Sequence, residues 1–159
     1  MVNLEEIKTW ISQEGKMEEV LQKFNWKEFE KFIAEIFQNN GFVIKRNFRF
    51  KTKNRYEIDL IATSNRFVFC VDCKMWNQGR YKKTGLKNAI NLQEKRVKEL
   101  EKFLNKNPIA KSLLKINQNY SMAPLIVTLH EEDTIKENDT FVVPAWKLNN
   151  FVNELENYI

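Results

Sequence analysis

Two short apolar, β-prone runs, residues 58–62 and 67–71, stand on either side of the polar break Thr63-Ser64-Asn65-Arg66. Their length and spacing predict a hairpin of two buried strands. That hairpin constrains the whole fold, because Glu57, Asp59, Asp72 and Lys74 lie within it or at its ends. A buried charge is costly unless it is paired or bound to an ion. A fold that buries these strands must therefore also bring their charges together.

With the turn centred on the Ser64-Asn65 step, Glu57 faces Asp72, and Asp59 faces Cys70 with Asp72 on its diagonal, all within side-chain reach. Alternation puts Glu57 with Asp59, and Asp72 with Lys74. Any even loop length keeps the two sets together, whereas a one-residue slip separates them. Carboxylates so close repel, which raises at least one pKa unless a cation intervenes. A hard divalent ion such as Mg²⁺ takes one or two carboxylates together with water and phosphate oxygens. The neighbouring lysine can then hold a water or stabilise charge developing on a phosphate. Such a set suits metal-assisted phosphodiester hydrolysis. A buried ion-pair network, with Lys74 neutralising two acids, fits the same spacing.

Charge is unevenly spread along the 159 residues. Residues 36–93 hold twelve Lys/Arg and three acids, Glu57, Asp59 and Asp72, while the remainder is net acidic. A positive field around a small acidic cluster fits a phosphate-backbone partner, although a solvated basic face gives the same count. Gly and Pro are scarce and 43% of residues are hydrophobic, as expected of one packed domain. No apolar run reaches the roughly twenty residues of a membrane span, and the acidic N-terminus does not resemble a signal peptide. A soluble, cytoplasmic protein with no membrane partner is expected. Cys70 and Cys73 are spaced Cys-x-x-Cys, but three apart in a strand they point to opposite faces. They read as buried small hydrophobes in a reducing compartment.

In chain order, short N-terminal helices are expected over residues 3–13 and 17–24. The next helix opens at Asn25, with Glu28 completing a capping box, and stops at Gly41. Phe29, Phe32, Ile33, Ile36 and Phe37 form its apolar stripe. Glu30 lies on the stripe's edge beside Phe37, where it can reach a half-buried site or simply keep its head in water. Residues 42–50 read as a strand with a slip near Arg46-Asn47. Six Lys/Arg (Lys45, Arg46, Arg49, Lys51, Lys53, Arg55) interleave here with aromatics, as at a nucleic-acid-facing edge or a solvated one. After Trp76 a loop over 77–85 carries Arg80, Lys82 and Lys83, with Lys87 just beyond.

A long helix over about 86–104 has the stripe Leu86, Ile90, Gln93, Val97, Leu100 and Leu104. Gln93 is polar at a core position, and either a backbone hydrogen bond or a role at the site explains it. Residues 125–129 and 141–143 read as central strands buried on both faces. His130, with no Cys, His or acid at ligand spacing, is a weak metal candidate. A last helix is expected over 146–158. The domain therefore divides into an N-terminal extension (1–24), a core (25–144) and a C-terminal helix (145–159).

Asp59, twelve intervening residues, then Asp72-x-Lys74 resembles the split acid…(Asp/Glu)-x-Lys motif of the PD-(D/E)XK nuclease superfamily. The closer look is to Mrr-like restriction endonucleases and archaeal Holliday-junction resolvases. Trp26-Lys27-Glu28-Phe29-Glu30, with Gly41-Phe42 beyond it, is similar to the helix those families place before the sheet. The resemblance covers about residues 26–144. It implies an α/β, restriction-endonuclease-like core: helix, three-stranded antiparallel meander, helix and further strands. By the same likeness Asp59, Asp72 and Glu30 would bind Mg²⁺, with Mn²⁺ as a substitute, and Lys74 would be the catalytic lysine. Gln93 matches, more loosely, a polar residue of the following helix. Ile58 stands where the motif's name has proline, Asp72 where many members have glutamate, and Glu57 is an additional acid. The implied activity is a metal-dependent deoxyribonuclease acting on DNA, with homodimers common among such enzymes. The alternative is a catalytically inactive nucleic-acid-binding module of the same fold.

Overall fold

The structure is a computed structural model describing residues 19–76, 82–130, 132 and 135–155. The expected helix over 3–13 lies outside the described residues, as do Met17 and Tyr158 at the ends of two others.

Helix α1 (Trp26–Asn39) forms as its sequence dictates. Glu28 N donates to the Asn25 side chain at 2.9 Å, and Asn25 N donates back to Glu28 Oε1 at 3.1 Å, so two free N–H groups of the first turn are satisfied reciprocally. At the other end Gly41 takes φ +85°, with Phe42 N donating to Phe37 O and Gly41 N to Gln38 O. That hydrogen-bond pair ends a helix through a left-handed residue, and the Phe37 and Phe42 rings close over it at 5.3 Å.

A three-stranded antiparallel meander follows: β1 (Val43–Lys51), β2 (Arg55–Thr63) and β3 (Phe67–Lys74). The chain crosses through α2 (Lys82–Lys106) and α3 (Pro108–Leu113) to β4 (Ser121–Thr128), parallel to β3. Strands β5 (Lys136–Glu137) and β6 (Thr140–Pro144) complete a sheet in the order β1-β2-β3-β4-β6-β5. A 3₁₀ turn, Ala145–Lys147, leads into α4 (Leu148–Asn153). Helices α1 and α4 cover one face of the sheet, over Phe29, Phe37, Leu60, Phe69, Leu125 and Phe151. Helices α2 and α3 cover the other, over Ile61, Cys70, Leu100 and Leu114. This is the expected α/β core, with Cys70 and Cys73 on opposite faces, both free and buried.

Two expectations are corrected. Helix α2 starts at Lys82, so residues 82–85 are helix rather than loop. Gly85, the last residue of the expected loop, lies in the first turn of the helix beside Trp76. The hairpin turn is centred two positions on in pairing sum, at Asn65-Arg66. Ser64 N donates to Phe67 O at 2.8 Å and Phe67 N to Ser64 Oγ at 3.1 Å, so Ser64 and Phe67 face each other. Leu60 pairs with Val71 and Ile61 with Cys70.

Asp59 marks a discontinuity in both of its ladders. The β1–β2 pairs skip Asn47 and Asp59 while keeping register on either side, and the β2–β3 pairs stop at Leu60. Asn47 adopts φ +51°, a left-handed conformation that asparagine tolerates better than most residues. The faces exchange at this point. Leu60 and Ala62 pack beneath α1, whereas Ile58 packs beneath α2 together with Phe50. Ideal alternation would put residues 58, 60 and 62 on one face. The slip read near Arg46-Asn47 is thus a turning-over of the hairpin with no change of register.

Candidate active site

The parting of β2 and β3 makes the site. Beyond Val71, Asp72, Cys73 and Lys74 pair only with β4, opposite Ile126, Val127 and Thr128. In the gap, Asp59 Oδ2 accepts the Cys73 N–H at 3.0 Å, replacing the ladder bond that the strands no longer make. Alternation from Cys70 turns Asp72 and Lys74 toward α2, while Glu30 enters from α1 on the opposite face. Asp59, at the point where the faces exchange, stands between them.

Glu30 is 1% exposed and Asp72 5%. Glu30 Oε1 and Asp72 Oδ2 are both buried without a hydrogen-bond partner. Lys74 Nζ lies 3.3 Å from Asp72 Oδ2, an ion pair whose angles fall outside hydrogen-bond geometry. The lysine head also lies 5.8 Å from the Trp76 ring centre, within cation–π range. Burial, then the charge of Asp59, pushes the Glu30 carboxyl up to about 7, with Arg46 opposing the rise. Burial pushes Asp72 up to about 6; Lys74 opposes, Asp59 adds, and Arg96 opposes further. Burial also raises both thiols well above the usual cysteine range, which leaves them protonated and unsuited to redox or metal chemistry.

Of the expected site residues, Glu30, Asp59, Asp72 and Lys74 come together. Gln93 stands apart as a bracket between helix and strand: its Nε2 donates to Cys70 O at 2.8 Å, and its Oε1 accepts from Arg96 Nη1 at 3.1 Å. Glu57 does not face Asp72. It pairs across the strands with Arg49, Nε to Oε2 at 3.0 Å, on the solvent side. Alternation failed to predict this because the strand turns over at Asp59. Arg96 escaped the sequence reading. Its signal is the three-residue helical step from Gln93, which carries its charge toward Asp72.

Lys45, Arg46, Arg49, Lys51, Lys53, Arg55 and Lys87 are exposed. Arg46 acts electrostatically on Glu30, so this basic strand borders the acids. Arg80 and the side chains of Lys82 and Lys83 lie outside the described residues. Among the described residues no helix is long and apolar enough to cross a membrane.

The residues meet the requirements of a divalent cation in one respect. Two buried carboxylate oxygens lack hydrogen-bond partners, and charge repulsion among the acids is relieved only in part by Lys74. Among the described residues, no three His, Cys, Asp or Glu side chains gather into a closed metal-binding group. The arrangement therefore fits an ion that takes one or two carboxylates and completes its shell with water and phosphate.

Residues 25–129 match the nuclease-related domain, NERD. The chain belongs to this family, and with it to the PD-(D/E)XK-like nuclease superfamily. It is similar to an uncharacterized protein of Archaeoglobus fulgidus, 26% identical over 135 residues, covering 84% of this chain and 94% of that protein. A solved crystal structure of a protein of unknown function aligns at 18% identity with a TM-score of 0.38, over 78% of this chain. The aligned region is about half of that protein's length (54%).

Proposed function

We propose that this chain is a Mg²⁺-dependent deoxyribonuclease that hydrolyses phosphodiester bonds, with Mn²⁺ as a substitute metal. The observation that carries the reading is the mutual electrostatic coupling of Glu30, Asp59 and Asp72, with Lys74 paired to Asp72 and one buried oxygen on each of Glu30 and Asp72 lacking a hydrogen-bond partner. Asp59 and Asp72 would hold the cation, with Glu30 completing the site. When bound, the ion supplies Lewis-acid polarisation of the phosphate and acidifies water.

The chain's own groups do the rest. Lys74, tethered by Asp72 and Trp76, places a positive charge where it orients the attacking water or stabilises the phosphoryl oxygens. Glu30 titrates close to neutral pH, the range in which a carboxyl both takes and returns a proton. The Cys73 N–H fixes one Asp59 oxygen. Gln93 holds Arg96 near Asp72, which keeps the aspartate from rising further. The exposed cations of β1 and the start of β2, with Lys87, would follow the DNA backbone.

The finer likeness to Mrr-like endonucleases and junction resolvases, a homodimer and a cytoplasmic location all belong to this proposal. A binding module without turnover is the second reading, favoured by the lack of a three-donor group among the described residues. The decisive assay incubates the protein with linear duplex, single-stranded and four-way-junction DNA in Mg²⁺, Mn²⁺ or EDTA. Cleavage in metal but not in EDTA is expected. Intact DNA in every condition, with salt-sensitive binding retained, would establish the second reading instead.

A further inference from the structure

The break at Asn47 and Asp59 shapes the surface of the β1–β2 hairpin as well as the acid cluster. Before the break, Ile44 pairs with Ala62 and Arg46 with Leu60. Ile44, Leu60 and Ala62 pack beneath α1, so Arg46 issues from the α1 face of the sheet, the face from which Glu30 enters. Lys45, paired with Ile61, takes the α2 face. Past the break the order is reversed. Phe48, Phe50, Tyr56 and Ile58 pack toward α2, which turns Arg49, Lys51 and Arg55 to the α1 side, with Glu57 among them. Unbroken alternation from Arg46 would have put Phe48 and Phe50 on that side and sent the cations beneath α2.

The exchange of faces thus gathers Arg46, Arg49, Lys51 and Arg55 into one row on one side of the hairpin, and all of them are exposed. Glu57 pairs with Arg49 at 3.0 Å and leaves the other charges uncompensated within the row. Arg46 is its inner end, close enough to act on the charge of the buried Glu30. From Arg46 to Lys51 the strand covers about 15 Å, roughly four steps of a DNA strand. A row of this length that runs into the acids fits a partner with a charge at every step, as a phosphate backbone has. An acidic polypeptide spaces its charges irregularly.

We propose that the α1 side of the β1–β2 hairpin is the track of the DNA backbone, with Arg46 binding the phosphate that lies next to the acids. The identity of the polymer rests on the nuclease reading, and the track narrows that reading's cations to one side of the hairpin. The test is fluorescence anisotropy of the full chain in EDTA, with a short labelled duplex over a series of salt concentrations. Each lost phosphate contact should lower the slope of log affinity against log salt by about 1. Lys51→Gln combined with Arg55→Gln should therefore lower it by roughly 2 and weaken binding about tenfold at physiological salt. Lys95→Gln combined with Lys98→Gln removes the same charge from the exposed side of α2 and should change affinity less than about twofold. Neighbouring residues on β1 give the sharpest comparison: Arg46→Gln should lower the slope by about 1, and Lys45→Gln by less than half of that. Equal losses in the two double variants, or a loss in Lys45→Gln as large as in Arg46→Gln, would overturn the track. Binding along the track with no cleavage in Mg²⁺ or Mn²⁺ would overturn the nuclease reading alone and leave this result standing.

Discussion

Two sets of buried polar groups in this domain are treated in opposite ways. Gln93 is 1% exposed, and both ends of its amide are bonded, to Cys70 O and to Arg96. Glu30 is equally buried and Asp72 nearly so, yet each keeps an oxygen without a hydrogen-bond partner. Native interiors seldom leave a buried polar atom unsatisfied, since each such group costs about 1–3 kcal/mol and a charge costs more. The difference separates a bracket that stabilises the fold from a pair of acids whose burial is costly to it. Activity and stability should therefore respond in opposite directions at the two places.

The largest effect is expected in the cleft. Lys74→Ala and Asp59→Ala should each lower metal-dependent cleavage by about a thousandfold or more. Circular dichroism should show both variants folded. Retention of a tenth of the cleavage by either would remove that residue from the mechanism.

Arg96→Ala tests the link between the two sets and should cost roughly tenfold in rate. It should also move the acidic limb of the pH–rate profile upward, because Arg96 holds Asp72 down. A profile unchanged in position would leave Arg96 as a purely structural residue.

The bracket itself should show the reverse pattern. Gln93→Leu leaves Cys70 O without this donor and Arg96 without its tether, and should lower Tm by roughly 3–10 °C, with any loss of rate in the folded protein smaller than that of Arg96→Ala. A large loss of rate in a protein of unchanged Tm would instead move Gln93 into the site.

Smallest is the surface pair. Glu57→Gln should alter cleavage less than about twofold and stability by under about 1 kcal/mol, as exposed ion pairs do. A strong loss of cleavage would restore Glu57 to the acid cluster.

Much of this was legible in the sequence because it is local. The Asn25–Glu28 cap, the stop at Gly41 and the stripe from Leu86 to Leu104 depend on residues within two turns of one another, and all formed as read. The strands at the centre of the sheet were visible as apolar runs for the same reason. The pairing of β2 with β3 was not, since a turn without glycine gives little sign of its centre, and Ser64, expected at the middle of the turn, closes onto Phe67 instead. Reversal of faces at Asp59 was still less visible. It arises from one left-handed asparagine acting on the strand opposite, and period-two reasoning cannot register it. Hence the closeness of Asp59, Asp72 and Lys74 was anticipated, while the place of Glu57 was not. Arg96 was hidden because its partner Asp72 lies on another element.

The central claim, that the unpartnered carboxylates form a cation site, is tested most directly by thermal unfolding with and without Mn²⁺. An acid whose folded pKa is raised destabilises the fold once pH exceeds that value, and the penalty disappears below its unfolded pKa. For Glu30 the window runs from 4.5 to about 7, and for Asp72 from 3.8 to about 6. Metal-free protein should therefore lose Tm as pH rises from about 4 to 7, and Glu30→Gln should lose less. At pH 8, millimolar Mn²⁺ should raise the Tm of the unaltered protein by several degrees through preferential binding to the folded state, and should leave Asp72→Asn unmoved. Identical Tm values with and without Mn²⁺ in the unaltered protein would contradict the account.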